Sequence, residues 1–424
     1  MLAAAIAFPL SPAWAQERAA LPALSLPVLI EQVRRVNPDL LAARKRWEAA
    51  EARVPLSNGL LAPKIGVEFE EIPRGTVKIN QATAMYQLIQ MIPFPGKLSA
   101  RHKVAAKQAQ VAAMEFKKTE WEVLSMLKST YYDLFLLERE IEIQREQVVL
   151  LKQAEAAARS RYASGLSSQT EFLRAQGERL EASNEVVVLS ERRMAMQAHL
   201  NHLLNRQGHE VLGSPGPVDL MPVPSGPEEL LVRAGEHQPA LLAMKYSAER
   251  ADAALKLSKR ELLPDLETML ELRDPPMAPI GPWDLSLALV LPFWFWTKQQ
   301  YGVKVALRDK ESMEAAYQAM QNEVARRIHE NWHEAMASYQ KAVLYQEALI
   351  PQGRQMVEAA LGSYRSGKMS LLELIDAMRT LNERRRTYYE NLVSLEQRIV
   401  MLEESVGVPL RSSHEEEVSH EIAP

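Results

Sequence analysis

The chain reads as one unit written twice, and this restricts its fold more than any other feature. Asn37-Pro38 recurs as Gln238-Pro239, and Leu60-Leu61-Ala62-Pro63 recurs as Glu261-Leu262-Leu263-Pro264, both 201 residues later. Further along, Ile92-Pro93-Phe94 returns as Leu291-Pro292-Phe293 after 199 residues, and Tyr162-Ala163-Ser164-Gly165 as Tyr364-Arg365-Ser366-Gly367 after 202. Glu171 and Glu373 keep the same 202-residue spacing. Landmarks in one order at nearly constant offset point to a duplication, with a period far too long for a solenoid. Residues 16–205 form the first repeat and 228–407 the second; between them, 206–227 holds nine Gly or Pro residues, the composition of an extended linker.

Each repeat runs helix, two strands, long helix, turn, helix. Leu26 to Leu61 and Glu228 to Leu263 have helical composition, and each stops at a proline that cannot continue the helix. Strand 63–71 alternates Ile65, Val67 and Phe69 against Lys64, Glu68 and Glu70, and strand 83–92 comes next with weaker alternation. In the second repeat, strand 264–273 sets Leu266, Leu270 and Leu272 against Glu267 and Glu271. Strand 283–293 sets Trp283, Leu285, Leu287, Leu289 and Leu291 against Asp284, Ser286 and Ala288. Each strand is about nine residues long, the span of a transmembrane strand. Helices are expected over 97–159, 167–205, 298–363 and 370–407, and they carry seven-residue rows. Leu127, Leu134, Ile141 and Val148 form one, and Ala175, Ala182, Leu189, Met196 and Leu203 another. The last helix holds two: Leu374, Leu381, Tyr388, Leu395, Leu402, and Leu371, Met378, Arg385, Leu392, Ile399, Val406. Such rows specify coiled-coil packing. Some 60 uninterrupted helical residues extend roughly 90 Å, which suits a tube crossing an aqueous compartment rather than a compact domain.

Composition narrows the choice. With 25% charged residues the chain is too polar for a polytopic helical membrane protein, and after residue 15 no apolar run approaches the roughly 18 residues of a spanning helix, so a membrane role requires a barrel. Residues 1–15 end in Ala13-Trp14-Ala15 and read as a signal peptide, hence export. Cysteine is absent, which removes disulfides, thiolate metal sites and a lipid anchor, and the net charge of −4 offers nothing to nucleic acid. The 408–424 tail is acidic. Four strands cannot close a barrel, for which about eight is the minimum, so several chains must contribute; three give twelve strands, enough to enclose water.

On these features the chain resembles the TolC-like outer membrane factor family. The most specific elements are Tyr-x-x-Gly followed by a polar turn and a helix start, at Tyr162 to Phe172 and again at Tyr364 to Asp376. Gln90-Met91-Ile92-Pro93-Phe94-Pro95-Gly96-Lys97 resembles the strand-to-helix junction of the CzcC-like heavy-metal efflux branch. The resemblance implies a mainly α fold with a small β part. Each protomer of a homotrimer gives four strands to a shared 12-stranded barrel in outer-membrane lipid, continued by a long coiled-coil tunnel in the periplasm. It further implies a passive exit duct, not an enzyme and without cofactors. The partners it implies are a periplasmic adaptor and an inner-membrane pump of the proton-driven resistance-nodulation-division type, and the cargo it implies is metal ions or small toxic compounds.

The candidate site residues come from the same pattern. The turns Ser164-Gly165-Leu166 and Ser366-Gly367-Lys368 join antiparallel helices, glycine serving as a C-cap with positive φ, and by resemblance they receive the adaptor. Glu373 and Asp376 lie three apart on one helix face, with Glu171 equivalent in the first copy; by resemblance they and Tyr364 surround the periplasmic aperture, repeated about the trimer axis. As local features, the same carboxylates suit the positive end of a helix dipole. Trp283, Phe293, Trp294, Phe295 and Trp296 are expected at the membrane interface. Two rival readings are an exported coiled-coil protein without a barrel, which the alternating strands oppose, and a zinc peptidase. The latter rests on His329-Glu330-Asn331-Trp332-His333, a formal match to a metalloprotease helix set inside a heptad helix with no third ligand nearby.

Overall fold

The computed structural model describes residues 23–70, 83–274, 282–294 and 296–411. The chain order is α1 (Leu26–Val36), α2 (Pro38–Leu56), β1 (Lys64–Glu70), β2 (Thr83–Ile92), α3 (Lys97–Ala163), α4 (Gln169–Leu203), α5 (Pro227–His237), α6 (Pro239–Arg260), β3 (Asp265–Asp274), β4 (Trp283–Val290), α7 (Gln299–Leu344), α8 (Ile350–Arg365) and α9 (Leu371–Val406). Residues 1–15 and most of the tail lie outside the described residues.

Sequence composition suggests one helix ahead of each strand pair, but the structure has two. Pro38 and Pro239 each open a new helix, where a missing N–H is harmless and a fixed φ is favourable. The residue before each proline is extended and caps the new helix. Asn37 Oδ1 accepts from the Asp39 and Leu40 amides at 3.0 and 3.2 Å, and Gln238 Oε1 accepts from the Leu241 amide at 2.6 Å.

The heptad rows are buried seams. Leu127, Leu134 and Ile141 of α3 are at most 1% exposed, and in α9 Leu374, Leu395, Leu402 and Val406 are at 0%. α3, 67 residues long, packs along both α4 and α9, while α9 packs along α7 and α8. At the hairpin tips the two halves share one core, in which Ala154, Ala158 and Ala175 meet Val357, Tyr364, Leu374 and Met378. Near mid-length the linker crosses these helices as an extended strap. Gln197 Nε2 and Asn201 Nδ2 hold its Leu212 and Glu210 carbonyls at 3.0 and 2.7 Å.

α3 runs unbroken to its tip, but α7 and α8 are joined by a π-helical turn, Tyr345–Leu349. There the Ile350 amide bonds the Tyr345 carbonyl, one residue further back than in an α-helix, just before Pro351, which has no N–H to give. Arg384 Nη1 on α9 donates to the Leu349 carbonyl at 3.0 Å and ties the turn to the bundle.

The strands form one antiparallel sheet in the order β1-β2-β3-β4. Ile65, Leu88, Leu270 and Leu285 lie in one continuous line across it, as do Val67, Tyr86, Leu272 and Trp283.

Candidate functional site

Strand register sorts the sheet into two chemically opposite faces, because successive side chains alternate. On one face stand Ile65, Val67, Phe69, Leu88, Leu270, Leu285, Leu287 and Leu289, between 42% and 82% exposed. On the other stand Glu68, Gln87, Glu271, Arg273 and Asp284, interspersed with Met85, Ile89 and Met269. Gln87 Nε2 donates to Glu68 Oε2 at 2.8 Å and to Glu271 Oε2 at 3.3 Å, so three strands are stitched by one amide on the polar face. Sequence alternation finds the two faces but not this bridge, since it depends on the long-range pairing of β2 with β3.

The aromatic candidates mark both ends of β4. Trp283 is 62% exposed at its start; Phe293 and Trp294 are 69% and 67% exposed beyond its end, where Trp294 and Trp296 meet edge to face at 6.0 Å. Phe295 lies outside the described residues. The eight residues of β4 run about 26 Å along the strand, or about 20 Å of height at a barrel tilt of about 40°.

The Gln90 to Lys97 motif acts as a clamp between sheet and helices. Gly96 takes φ +92°, and a side chain there would strike the Arg260 guanidinium, which donates to the Gly96 carbonyl at 2.5 Å. Lys97, 4% exposed, donates from Nζ to Asp265 Oδ1 at 2.8 Å and to the Leu263 carbonyl at 2.7 Å. The entry of α3 is thereby fixed to the entry of β3.

At the far end lie the tips. Ser164, Gly165, Leu166, Ser366, Gly367 and Lys368 are all exposed, and both glycines have positive φ, 72° and 75°. Behind the turns the repeats differ. Glu373 closes a capping box, accepting from the Ser370 amide at 2.9 Å and the Ser370 hydroxyl at 2.8 Å, which holds its carboxyl below the usual range. Glu171 occupies the same helix position but turns inward to the Tyr364 hydroxyl, without the two closing a hydrogen bond. Burial, then that carboxylate, pushes the phenol above its ordinary range. Tyr364 is fully enclosed, whereas its counterpart Tyr162 is 44% exposed. Arg161 donates from Nη1 to the Tyr364 carbonyl at 2.8 Å and lies over its ring at 5.0 Å. Asp376 is exposed and makes no hydrogen bond or ion pair among the described residues. Sequence reading missed Arg161; its only signal was a cation three residues before the turn.

The His329 to His333 window is absorbed by packing and surface pairing. Glu330 is bound by Arg326 at 2.5 Å, Trp332 Nε1 donates to the Ser225 carbonyl at 2.7 Å, and His333 abuts the Trp332 ring. Among the described residues no group of three or more His, Asp or Glu is placed to hold a metal ion.

A long two-hairpin helical wall joined to a sheet with one apolar and one polar face is the architecture of an outer-membrane channel protomer. The family model described as outer membrane efflux protein matches residues 29–206 and 230–408, and the chain belongs to that family. Its members are efflux channels of the outer membrane and are not enzymes. A relative, the cobalt-zinc-cadmium resistance protein CzcC of Cupriavidus metallidurans, is 21% identical over 352 residues, covering 83% of this chain and 82% of that protein. Among solved structures, the outer membrane protein VceC of Vibrio cholerae superposes with a TM-score of 0.76 at 15% identity, covering 91% of this chain and 97% of that one. CusC superposes with a TM-score of 0.78 at 15% identity over 96% and 99% of the two chains.

Proposed function

We propose that three copies of this chain close a twelve-stranded barrel in the outer membrane, continued by a helical tunnel, as the exit duct of a tripartite efflux system. The observation that carries this is the sheet. It has four strands and an exposed apolar face; among the described residues β1 pairs only with β2, and β4 only with β3. Unpaired edges beside an apolar face are untenable in lipid, and four strands are too few to close. Two copies would fill with side chains, whereas three enclose water. The apolar face then meets lipid and the polar face lines the lumen. The two repeats, 16–205 and 228–407, stand as a duplication whose halves supply two strands and one helical hairpin each.

The exposed tip turns at Ser164 to Leu166 and Ser366 to Lys368 are the docking points for a periplasmic adaptor, which hands over cargo from an inner-membrane pump. Glu373 and Asp376, exposed on the second tip, form the acidic aperture, with Tyr364, Glu171 and Arg161 bracing the helix ends behind them. The naming of a relative for cobalt, zinc and cadmium resistance supports metal cations as cargo. The test is extraction from outer membranes in mild detergent. Heat-stable trimers that conduct in planar bilayers are expected, with conductance changed more by Glu373→Ala/Asp376→Ala than by Glu171→Ala. Monomers, or trimers that conduct nothing, would remove the reading.

A further inference from the structure

The helices that meet the sheet border an open cavity that the efflux reading leaves without a role. α2 packs on α3, α3 on α6 and α6 on α7, and residues from all four line one cavity of about 660 Å³. A cavity shared by the first and last helix of such a row lies on the concave side of the wall. Ala50, Ala105, Ala251, Ala254 and Ala306 are among its lining residues, and their short side chains keep the space open. Three arginines line it, the exposed Arg53 and the half-buried Arg101 and Arg250, against one acid, Asp309, an excess of two positive charges per protomer. Arg250 is oriented by donating to Gln108 Oε1. The side chains of Arg53 and Arg101 make no hydrogen bond or ion pair among the described residues. Asp265, the acid whose field Arg101 feels, is already held by Lys97 at 2.8 Å.

Guanidinium forks match carboxylates and oxyanions, and a low-dielectric cleft lined by one sign of charge concentrates the opposite ion. We propose that this cavity is an anion-binding girdle, taking small oxyanions and carboxylates where the helical wall meets the sheet. The proposal rests on the duct reading, in which the concave side faces the lumen and threefold repetition sets the arginines in a ring, the device of anion-selective pores. Its sign opposes the polar face of the sheet, where Glu68, Glu271 and Asp284 gather. In that reading a cation leaving the duct crosses a basic stage before an acidic one.

The test uses purified full-length trimers in planar bilayers under a KCl gradient, with inorganic sulfate as the probe. Millimolar sulfate is expected to reduce the wild-type current. Arg53→Gln/Arg101→Gln, which spares the Arg250 to Gln108 contact, is expected to abolish that block and raise the potassium-to-chloride permeability ratio by about threefold or more. Arg53→Lys/Arg101→Lys keeps the charge and should keep the low ratio. Conducting glutamine variants with unchanged ratio and sulfate response overturn the girdle, as does a wild-type current indifferent to sulfate. If the glutamine variant does not assemble, Asp309→Asn decides: chloride permeability rises, or the proposal fails. A wild-type trimer that forms no channel overturns the duct reading instead.

Discussion

Tyr364 carries a buried hydroxyl that closes no hydrogen bond and a ring that fills the shared core of the tips. Removing the hydroxyl and removing the ring should therefore have opposite results. Tyr364→Phe is expected to leave stability unchanged or raise it by up to about 1 kcal/mol, because it deletes an unpaired polar group. Tyr364→Ala is expected to cost about 3–5 kcal/mol through lost burial and the cavity left behind. Thermal unfolding of the detergent-solubilised protein separates the two. Glu373 gives a pH signature across the turn at the same tip. Its carboxyl lies below the usual value of 4.5 when folded, so its capping contribution is complete above that value and is lost as pH falls through the folded one. Amide protection factors at the start of α9, in which the intrinsic slowing of exchange by acid is divided out, should fall on acidification in the wild type, and much less so in Glu373→Gln; equal falls in both would contradict the capping role. Backbone conformation repeats between the halves as well. Asn205 and Gly407, 202 residues apart, are both left-handed, at φ +52° and +82°, each closing the last helix of its repeat. Residue identity hides that equivalence, since two different side chains satisfy one backbone demand.

The elements show what periodicity could and could not reveal. Buried positions on α7 run Val324, Ile328, Asn331, Ala335, Ser338, Ala342; on α8 they run Gly353, Val357, Ala360, Tyr364, one residue out of phase with the continued heptad. The π turn supplies that one residue, so α8 still presents its seam to α9. Deleting the exposed Gln346 should regularise the helix and be tolerated. Inserting one alanine beside it should swing Val357, Ala360 and Tyr364 off the core by about 100° and sharply lower the melting temperature. Equal stability of the two variants would refute the phase argument. Heptad rows and strand alternation were legible in the sequence because each depends on local spacing, whereas the helix ends were not: α2 stops at Leu56 with Pro55 in its last turn and α6 at Arg260, both before Pro63 and Pro264 are reached. The break at Asn37, the Lys97 to Asp265 clamp, the Gln87 bridge and the Arg161 contact were not legible either. The first turns on how one proline is used, and the others on side chains 19 to 203 residues apart brought together by folding. The tip glycines were readable for the same local reason, whereas the inward turn of Glu171 depends on an enclosed tyrosine from the other half.

At the scale of the whole molecule, the proposed duct makes the protomer an open segment that its copies close: among the described residues β1 pairs only with β2 and β4 only with β3. The natural absence of cysteine makes the lumen testable one position at a time. Gln87→Cys and Leu287→Cys lie on opposite faces of the sheet, in β2 and β4. The most direct measurement is single-channel current through trimers of each variant while a charged, water-soluble thiol reagent is added. A lumen lined by the polar face predicts that the reagent reduces current through Gln87→Cys channels and leaves Leu287→Cys channels untouched. Block at Leu287→Cys with none at Gln87→Cys would contradict it.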